Sequence, residues 1–125
     1  MSKTKSLLAE FKKATKRLEE VLAEPKTTIV RDSAIQRFEF CLDLSWKTLK
    51  SHLQEKLGVA VASPKKCFRE AFQQGIVEYD EFWLTLVDLR NETVHAYNEK
   101  RAESIFKQLP KALKYFEKLV KKIAA

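Results

Sequence analysis

The 125-residue sequence contains only two glycines and three prolines. Turn-rich β architectures depend on both residue types, because glycine and proline supply the backbone conformations that tight turns require. Their scarcity therefore argues against a sandwich or barrel and favours long helices with few connections. No apolar run approaches the ~20 residues that a membrane-spanning helix needs. No membrane association is expected.

Cysteine and histidine are equally scarce, with two of each. Cys41 and Cys67 are isolated and match no metal-ligand spacing, so we expect reduced thiols in a cytoplasmic protein. The basic start at residues 1–5 is not followed by a long apolar stretch, so no secretory signal is expected. The sequence also lacks a glycine-rich phosphate loop, a His/Cys metal cluster and a nucleophile-elbow pattern. We therefore predict no metal and no cofactor.

Positive charge, in contrast, is abundant. Lysine and arginine number 24 against 17 acidic residues, which gives a net charge of +7 and an isoelectric point of about 9.4. This balance favours acidic partners such as RNA, nucleotides or an acidic protein. Six lysines near the C-terminus fall opposite an apolar stripe, at Lys107, Lys111, Lys114, Lys118, Lys121 and Lys122. Such a stripe is ordinarily a solvated face, and it could also attract RNA with an affinity that falls as salt rises.

Apolar residues recur at three- and four-residue steps along most of the chain, which predicts amphipathic helices. The expected helices cover approximately residues 6–23, 29–56, 64–75, 81–97 and 99–123. Pro110 lies inside the last of these, so a kink or a restart near Gln108 is expected. Four long helices and one short one, joined by short links, predict an all-α up-and-down antiparallel bundle. The whole chain, residues 1–125, is interpreted as a single domain.

Residues 90–97 combine an arginine, one of the two histidines and a tyrosine at the end of the predicted fourth helix. A guanidinium binds phosphate and an imidazole moves a proton, so the pair could support phosphodiester chemistry without a metal. At about 100° per residue, Arg90 and Tyr97 would share nearly one face, with His95 roughly 140° from Arg90. Asn91 and Glu92 would neighbour His95 and could fix its tautomer. Two copies of the chain related by a two-fold axis would place both Arg90–His95 pairs around one groove more easily than a single copy could bring Arg90 and His95 together.

The same residues also have purely structural interpretations. Arg90 could pair with Asp88, with Glu92 or with a carboxylate on another helix. His95 could cap the C-terminal end of its helix, where the helix dipole favours a positive charge. Tyr97 could be a half-buried core residue.

Helix two carries further candidates. Glu39 and Asp43 are one turn apart and form either a paired-carboxylate site or a solvated surface. Lys47 follows Trp46 and could help to line a phosphate groove, or could be solvated. His52 falls in register with apolar neighbours, which indicates a histidine at the edge of the core.

Three segments resemble one known family. The element Arg90-Asn91-x3-His95-x-Tyr97 is similar to the signature of the HEPN domain superfamily. Upstream, residues 35–40 (Ile-Gln-Arg-Phe-Glu-Phe) and 44–50 (Leu-Ser-Trp-Lys-Thr-Leu-Lys) resemble the branch of nucleotidyltransferase substrate-binding proteins. The resemblance runs from the first helix to Lys122, and the combination of segments is more specific than the Arg-x4-His element alone.

The resemblance implies a five-helix bundle that forms a homodimer, and a partner that is a small minimal nucleotidyltransferase. In such pairs the HEPN chain is similar to a toxin that cleaves RNA without a metal. The nucleotidyltransferase is the antitoxin, in some members by adding adenylate to the tyrosine. Other HEPN chains are binding modules, so a non-catalytic substrate-binding subunit is the alternative. The candidate residues are Arg90 and His95 for catalysis, Asn91, Glu39 and Lys47 for substrate binding or support, and Tyr97 for modification.

Overall fold

The computed structural model describes residues 2–125, which form five α-helices and contain no strand. The helices are α1 (Lys3–Leu22), α2 (Thr28–Leu57), α3 (Pro64–Gln73), α4 (Phe82–Glu92) and α5 (Glu99–Ala124). One turn of 3-10 helix, Thr93–His95, separates α4 from α5. The predicted all-α fold is confirmed.

Side-chain caps and one glycine define several helix ends. Ser2, Thr27 and Asn98 each accept a hydrogen bond, at 3.0–3.1 Å, from the backbone N–H three residues further on. These bonds satisfy donors that the first turns of α1, α2 and α5 would otherwise leave unpaired. Gly58 ends α2 in the left-handed conformation, with φ of 65°, which a residue without a Cβ adopts at little cost.

The fourth helix is shorter than predicted, because it ends at Glu92 and does not continue to Tyr97. The Thr93 hydroxyl donates to the Arg90 carbonyl at 2.7 Å, and the Ala96 N–H bonds the Thr93 carbonyl at 3.1 Å. Such local bonds compete with the α-helical ladder and tighten the chain into a 3-10 turn. α4 has 11 residues, whereas α1, α2 and α5 have 20, 30 and 26. The predicted common helical face for Arg90 and Tyr97 is therefore wrong.

Helix α5 is continuous through Pro110, so the predicted restart near Gln108 does not occur. Proline has no N–H to donate, which removes one bond of the helical ladder. The neighbouring Leu109 and Ala112 are completely buried. Their packing keeps the helix together where the ladder is interrupted.

One aromatic cluster receives a side chain from every helix. Phe116 of α5 contacts Phe11 of α1, Phe38 of α2 and Trp83 of α4 with ring centroids 6.0–6.1 Å apart. Trp83 in turn stacks on Phe68 of α3 at 4.7 Å. All five are at most 3% exposed. Large apolar areas and favourable ring geometry thus join all five helices in one core.

Cross-helix contacts give the direction of the helices. The Thr4 hydroxyl, at the start of α1, hydrogen-bonds Ser51 and Glu55 near the end of α2 at 2.7 Å, so these two helices are antiparallel. Arg90, at the end of α4, reaches Asp43 in the middle of α2. The helices α1, α2, α4 and α5 form the up-and-down bundle, and α3 packs on α2 and α4 through Cys67 and Phe68.

The remaining scarce residues lie where the sequence predicted. Cys41 and Cys67 are buried free thiols, and burial raises the pKa of each to about 12. His52 is half-buried at the edge of the core, and desolvation lowers its pKa, with a further contribution from Lys56. Within residues 2–125, no helix is both long and apolar enough to cross a membrane.

Candidate functional site

Arg90 extends from α4 to two carboxylates on α2. Its Nε and Nη2 donate to the two Asp43 carboxylate oxygens at 3.0 and 3.1 Å, a bidentate arrangement. Its Nη1 lies 3.0 Å from Glu39 Oε2 and donates to the Thr93 hydroxyl at 3.2 Å. Of the structural alternatives, pairing with a carboxylate on another helix is the one observed. Asp88 pairs instead with Lys65.

This cluster of Arg90, Glu39 and Asp43 is partly buried. The three side chains are 27%, 31% and 37% exposed, so the two carboxylates are paired with Arg90 and still partly accessible to solvent. The hydrogen bonds to Asp43 raise the pKa of Arg90, and the negative charges of Asp43 and Glu39 add to this effect. The guanidinium is therefore held cationic and in one orientation.

The guanidinium of Arg90 retains a donor for a ligand. A guanidinium has five N–H groups. Three of them are used, one each on Nε, Nη1 and Nη2. The second N–H of Nη1 faces Glu39, so one N–H, on Nη2, remains outside these contacts. This N–H is the donor that an anionic ligand could use without displacing Asp43.

His95 and Tyr97 follow in the turn between α4 and α5. His95 is half-buried, whereas Tyr97 is 85% exposed, so the interpretation of Tyr97 as a core residue is wrong. Their rings meet edge to face, with centroids 6.3 Å apart. The turn thus presents an imidazole and a freely accessible phenol side by side.

The polar neighbours of His95 do not orient it. Asn91 is exposed, and Glu92 lies 4.0 Å from Arg101. Across the described part of the chain, the His95 imidazole has no hydrogen-bond partner, and it lies in the last turn of the 3-10 helix, where the helix dipole favours a positive charge. No hydrogen bond joins Arg90 and His95 within residues 2–125. Arg90 lies in the last turn of α4, and His95 lies in the 3-10 turn that follows it.

A second arginine, which the sequence analysis missed, holds the other side of this turn. Arg31 of α2 donates to Glu99 at 2.6 and 3.3 Å and to Glu103 at 3.2 Å, and it also bonds Asp32 at 3.0 Å. It thereby fixes the start of α5 against α2, as Arg90 fixes the end of α4. The feature of the sequence that could have indicated this cluster is the spacing of Glu99 and Glu103, which are one helical turn apart.

Exposed apolar side chains border the Arg90 cluster. Ile29 and Phe40 of α2 are 82% and 44% exposed, and Val94 of the turn is 66% exposed. Phe40 is 11 positions after Ile29 and seven before Lys47, or about three and two turns, so these residues share one outward stripe. Lys47 is exposed on this stripe. Phe40 follows Glu39 and Val94 follows Thr93 in the chain, so these two exposed side chains adjoin residues that contact Arg90, whereas Ile29 lies at the start of α2.

The predicted lysine stripe lies along the outer face of α5. All six of its lysines are exposed, and in the described chain none of them forms an ion pair. Lys111 also lies over the Phe82 ring, 4.1 Å from its centroid. Elsewhere, no three His, Cys, Asp or Glu side chains of residues 2–125 come together as metal ligands.

Comparisons with known proteins give concordant results. Residues 6–125 match the model of the family described as nucleotidyltransferase substrate binding protein like. A crystal structure from Thermus thermophilus is similar with a TM-score of 0.87 and 37% identity, covering 92% of this chain and 99% of that one. A Haemophilus influenzae structure, described as revealing the fold of a substrate binding domain of a nucleotidyltransferase, has a TM-score of 0.84 and 25% identity over 94% and 99%.

One curated relative bears a functional name. The Haemophilus influenzae protein "Probable ribonuclease HepT" is 32% identical over 90 residues. The aligned region covers 66% of this chain and 62% of that relative. The match therefore spans less than two thirds of the relative's length.

Proposed function

Because this chain belongs to the nucleotidyltransferase substrate binding protein like family, we propose that it is the HEPN-type toxin of a two-component toxin–antitoxin pair and cleaves RNA. The observation that carries the proposal is the Arg90 guanidinium, fixed by two carboxylates yet with one N–H on Nη2 free for a phosphate. It is followed within five residues by the half-buried His95. The similarity to a relative named as a ribonuclease supports the same activity.

In the proposed reaction Arg90 binds the scissile phosphate and stabilises the charge that develops on its oxygens. His95 acts as general base or general acid. As a base it takes the proton of the 2′-hydroxyl, whose oxygen attacks the phosphorus while the bond to the 5′-oxygen breaks. The 5′-oxygen takes a proton from solvent as it leaves, the proton held by His95 is then released to solvent, and the other product ends in a 2′,3′-cyclic phosphate. Proton transfer of this kind typically contributes ~10²–10⁴-fold in rate. No cofactor takes part.

The proposed active form is a homodimer. No hydrogen bond joins Arg90 and His95 within residues 2–125, and a groove at a two-fold axis would bring two such pairs together. The exposed apolar side chains of Phe40 and Val94, with that of Ile29 at the start of α2, supply a surface that a second copy would cover. Phe40→Glu is expected to leave the chain monomeric in size-exclusion chromatography with light scattering. The supporting residues Lys47 and Asn91 are exposed near this groove.

The decisive experiment uses the two histidines as a matched pair. Purified chain is incubated with RNA in excess chelator, and cleavage by the wild type, His95→Ala and His52→Ala is compared. His52 lies at the edge of the core on α2, so its variant controls for general loss of structure. The proposal requires cleavage by the wild type and the His52 variant and its loss in His95→Ala. Undiminished cleavage by His95→Ala, or strict dependence on an added metal, would refute it.

A non-catalytic substrate-binding subunit of the nucleotidyltransferase is the second candidate. The family description and the description of the Haemophilus influenzae structure favour it. Arg90, Lys47 and the lysine stripe would then hold an anionic substrate. Expressing the chain alone separates the two candidates. Growth arrest that disappears in Arg90→Ala supports the ribonuclease, whereas no arrest at all supports the binding subunit.

The proposed partner is a minimal nucleotidyltransferase that acts as antitoxin and modifies Tyr97. The 85% exposure of Tyr97 leaves its hydroxyl accessible to a partner active site. Incubation with partner and ATP should increase the intact mass by one adenylate in the wild type and not in Tyr97→Phe. Tyr79, which is 66% exposed and donates to Glu81 at 3.1 Å, provides the control variant Tyr79→Phe. Equal labelling of Tyr97→Phe would refute the modification site.

We further treat residues 1–125 as one HEPN-like domain and place the pair in the cytoplasm. The aromatic cluster, with one member from each helix, supports a single folding unit.

A further inference from the structure

A cavity of about 790 Å³ opens at the end of the bundle opposite the His95 turn. It lies between the loop before α4 and the last turns of α5, whereas the His95 turn joins the end of α4 to the start of α5. Its volume falls within the range typical of small-molecule sites, roughly 300–1,000 Å³. The proposed ribonuclease function does not use it.

The inner wall of this cavity is apolar and firmly supported. Ile76 and Val77 of the loop line one side, and Trp83 and Leu119 line the other. Trp83 and Leu119 are each 3% exposed and belong to the core, so their positions are fixed by packing. An apolar ligand surface placed here would be removed from water without rearranging the bundle.

The rim of the cavity is positively charged. Lys118, Lys121 and Lys122 line it, and within residues 2–125 none of them forms an ion pair. Two acidic side chains, Glu78 and Asp80, also line the cavity, and Glu78 is unpaired within the described residues. The three lysines of the lining therefore exceed its acidic side chains by one.

The other acidic side chain of the lining, Asp80, is already satisfied. One carboxylate oxygen accepts the Phe82 N–H at 2.9 Å, and the other accepts the Tyr115 hydroxyl. The bond from Tyr115 lowers the pKa of Asp80, with the charges of Lys111 and Lys118 contributing. Asp80 thus stays ionised as part of the wall and does not neutralise the rim lysines by direct contact.

From this arrangement we propose that the cavity is a binding site for an organic anion with a flat apolar body and a carboxylate, sulfonate or phosphate head group. The body lies against Val77 and Trp83, and the head group meets Lys118 and Lys122. Apolar burial and charge pairing both contribute, because the site combines a dry wall with unpaired cations. The assignment is independent of RNA cleavage.

The test uses 1-anilinonaphthalene-8-sulfonate, an organic sulfonate with a flat aromatic body, titrated into the full chain by fluorescence and calorimetry. We expect saturable binding of one probe per chain. The double variant Lys118→Glu/Lys122→Glu should raise the Kd at least about tenfold, because it replaces attraction with repulsion. Val77→Trp should abolish saturable binding by filling the cavity.

The matched control is Lys107→Glu/Lys114→Glu, which changes the same charge on the same helix outside the cavity lining. Its Kd should stay within about twofold of the wild type, since exposed charges further away are screened. Inorganic phosphate alone should bind far more weakly than the probe. The proposal is overturned by non-saturable binding, by an equal loss in the control, or by inorganic phosphate that binds as tightly. If Val77→Trp does not fold, as judged by circular dichroism, the comparison of the two lysine pairs decides alone.

Discussion

Arg31 and Arg90 are held in the bundle by the same kind of pairing but differ in how accessible they are to a ligand. Each arginine spans two helices and meets two carboxylates that are one turn apart, Glu99 and Glu103 in the first case and Glu39 and Asp43 in the second. The pKa of each arginine is raised by its carboxylates, with Glu99 and Asp43 as the main causes. The difference lies in exposure, because the Arg31 side chain is 4% exposed and that of Arg90 is 27% exposed.

This difference separates a structural arginine from one that can also bind a ligand. Arg31 is enclosed, so its pairing can only hold the start of α5 against α2. Arg90 has an open side, so the same kind of pairing fixes the guanidinium while leaving one N–H on Nη2 for the proposed phosphate ligand. Preorganising a cation in this way means that little reorganisation would be needed when charge develops in the proposed reaction.

The largest expected effect comes from removing the open arginine. Arg90→Ala should reduce RNA cleavage by about 10²-fold or more, in the range found for the loss of a preorganised charge-stabilising group. Its thermal unfolding midpoint should change little, because Glu39 and Asp43 are each about a third exposed and remain hydrated. Initial cleavage rates and thermal unfolding are measured on the same preparation. If Arg90→Ala instead lowers the unfolding midpoint strongly and leaves RNA cleavage normal, Arg90 is a structural arginine and does not serve the proposed reaction.

The enclosed arginine should show the opposite pattern. Arg31→Ala removes a side chain that is 4% exposed, together with its hydrogen bonds to Glu99 and Glu103, so the unfolding midpoint should fall by several degrees. RNA cleavage per folded molecule should stay within about threefold of the wild type, because the variant only increases the mobility of the turn between α4 and α5 and leaves Arg90 and His95 in place. The fraction folded is obtained from circular dichroism at the assay temperature. If Arg31→Ala instead abolishes cleavage without a change in the midpoint, Arg31 belongs to the site.

The two arginines also show what the sequence could and could not predict. Periodicity located α1, α2, α3 and α5 to within a few residues, because apolar stripes report directly on which face is buried. The end of α4 was misplaced, because the apolar pattern continues through Val94 while the backbone tightens into a 3-10 turn at Thr93–His95. Apolar spacing does not distinguish a last α-helical turn from a 3-10 turn.

Pairing across helices was harder to predict than the helices themselves. Glu39 and Asp43 were recognised as a pair, and Arg90 as a candidate, without being joined. Joining them requires knowledge of which helices are neighbours and of their register. Arg31 was missed because it lies in no motif. The roles of Arg90, His95 and Tyr97 came from the resemblance to a family, and the geometry of the turn now gives them specific environments.

A smaller effect should follow from loosening Arg90 without removing it. Asp43→Asn keeps the shape of the side chain and removes the charge, so one of the two bidentate bonds loses its acceptor. We expect cleavage to fall about tenfold, mainly in kcat, because a misdirected guanidinium stabilises the transition state less well. Asp43→Glu should recover part of the rate. A fall in the unfolding midpoint with unchanged kcat would instead mark Asp43 as purely structural.

Glu39 should act in the other direction. It faces Nη1 of Arg90 at 3.0 Å and competes with a phosphate for the same donor. Glu39→Gln removes that negative charge and should tighten RNA binding about two- to fivefold, in line with the modest worth of a partly exposed ion pair. Fluorescence anisotropy with RNA that carries a 2′-deoxy substitution at the cleavage site measures binding without turnover. Weaker binding would show that Glu39 helps to hold the ligand and does not compete with it.

The smallest effect concerns the dependence of stability on pH at the enclosed arginine. Hydrogen bonds from Arg31 lower the pKa of Glu99 below its ordinary value of 4.5, and Lys26 and Arg31 lower that of Glu103. A carboxylate whose pKa is lower in the folded state stabilises the fold above its unfolded pKa, and this contribution is lost as pH falls through the folded pKa. The unfolding midpoint should therefore decline on acidification below about pH 5. The unfolding midpoint of Glu99→Gln should be lower than that of the wild type at neutral pH and should decline less steeply on acidification. Asp80→Asn reports the separate contribution of the Asp80 carboxylate, whose pKa is lowered chiefly by Tyr115. If the unfolding midpoints of the wild type and Glu99→Gln decline in parallel as the pH falls, the ion pairs of Arg31 do not contribute to the pH dependence of stability.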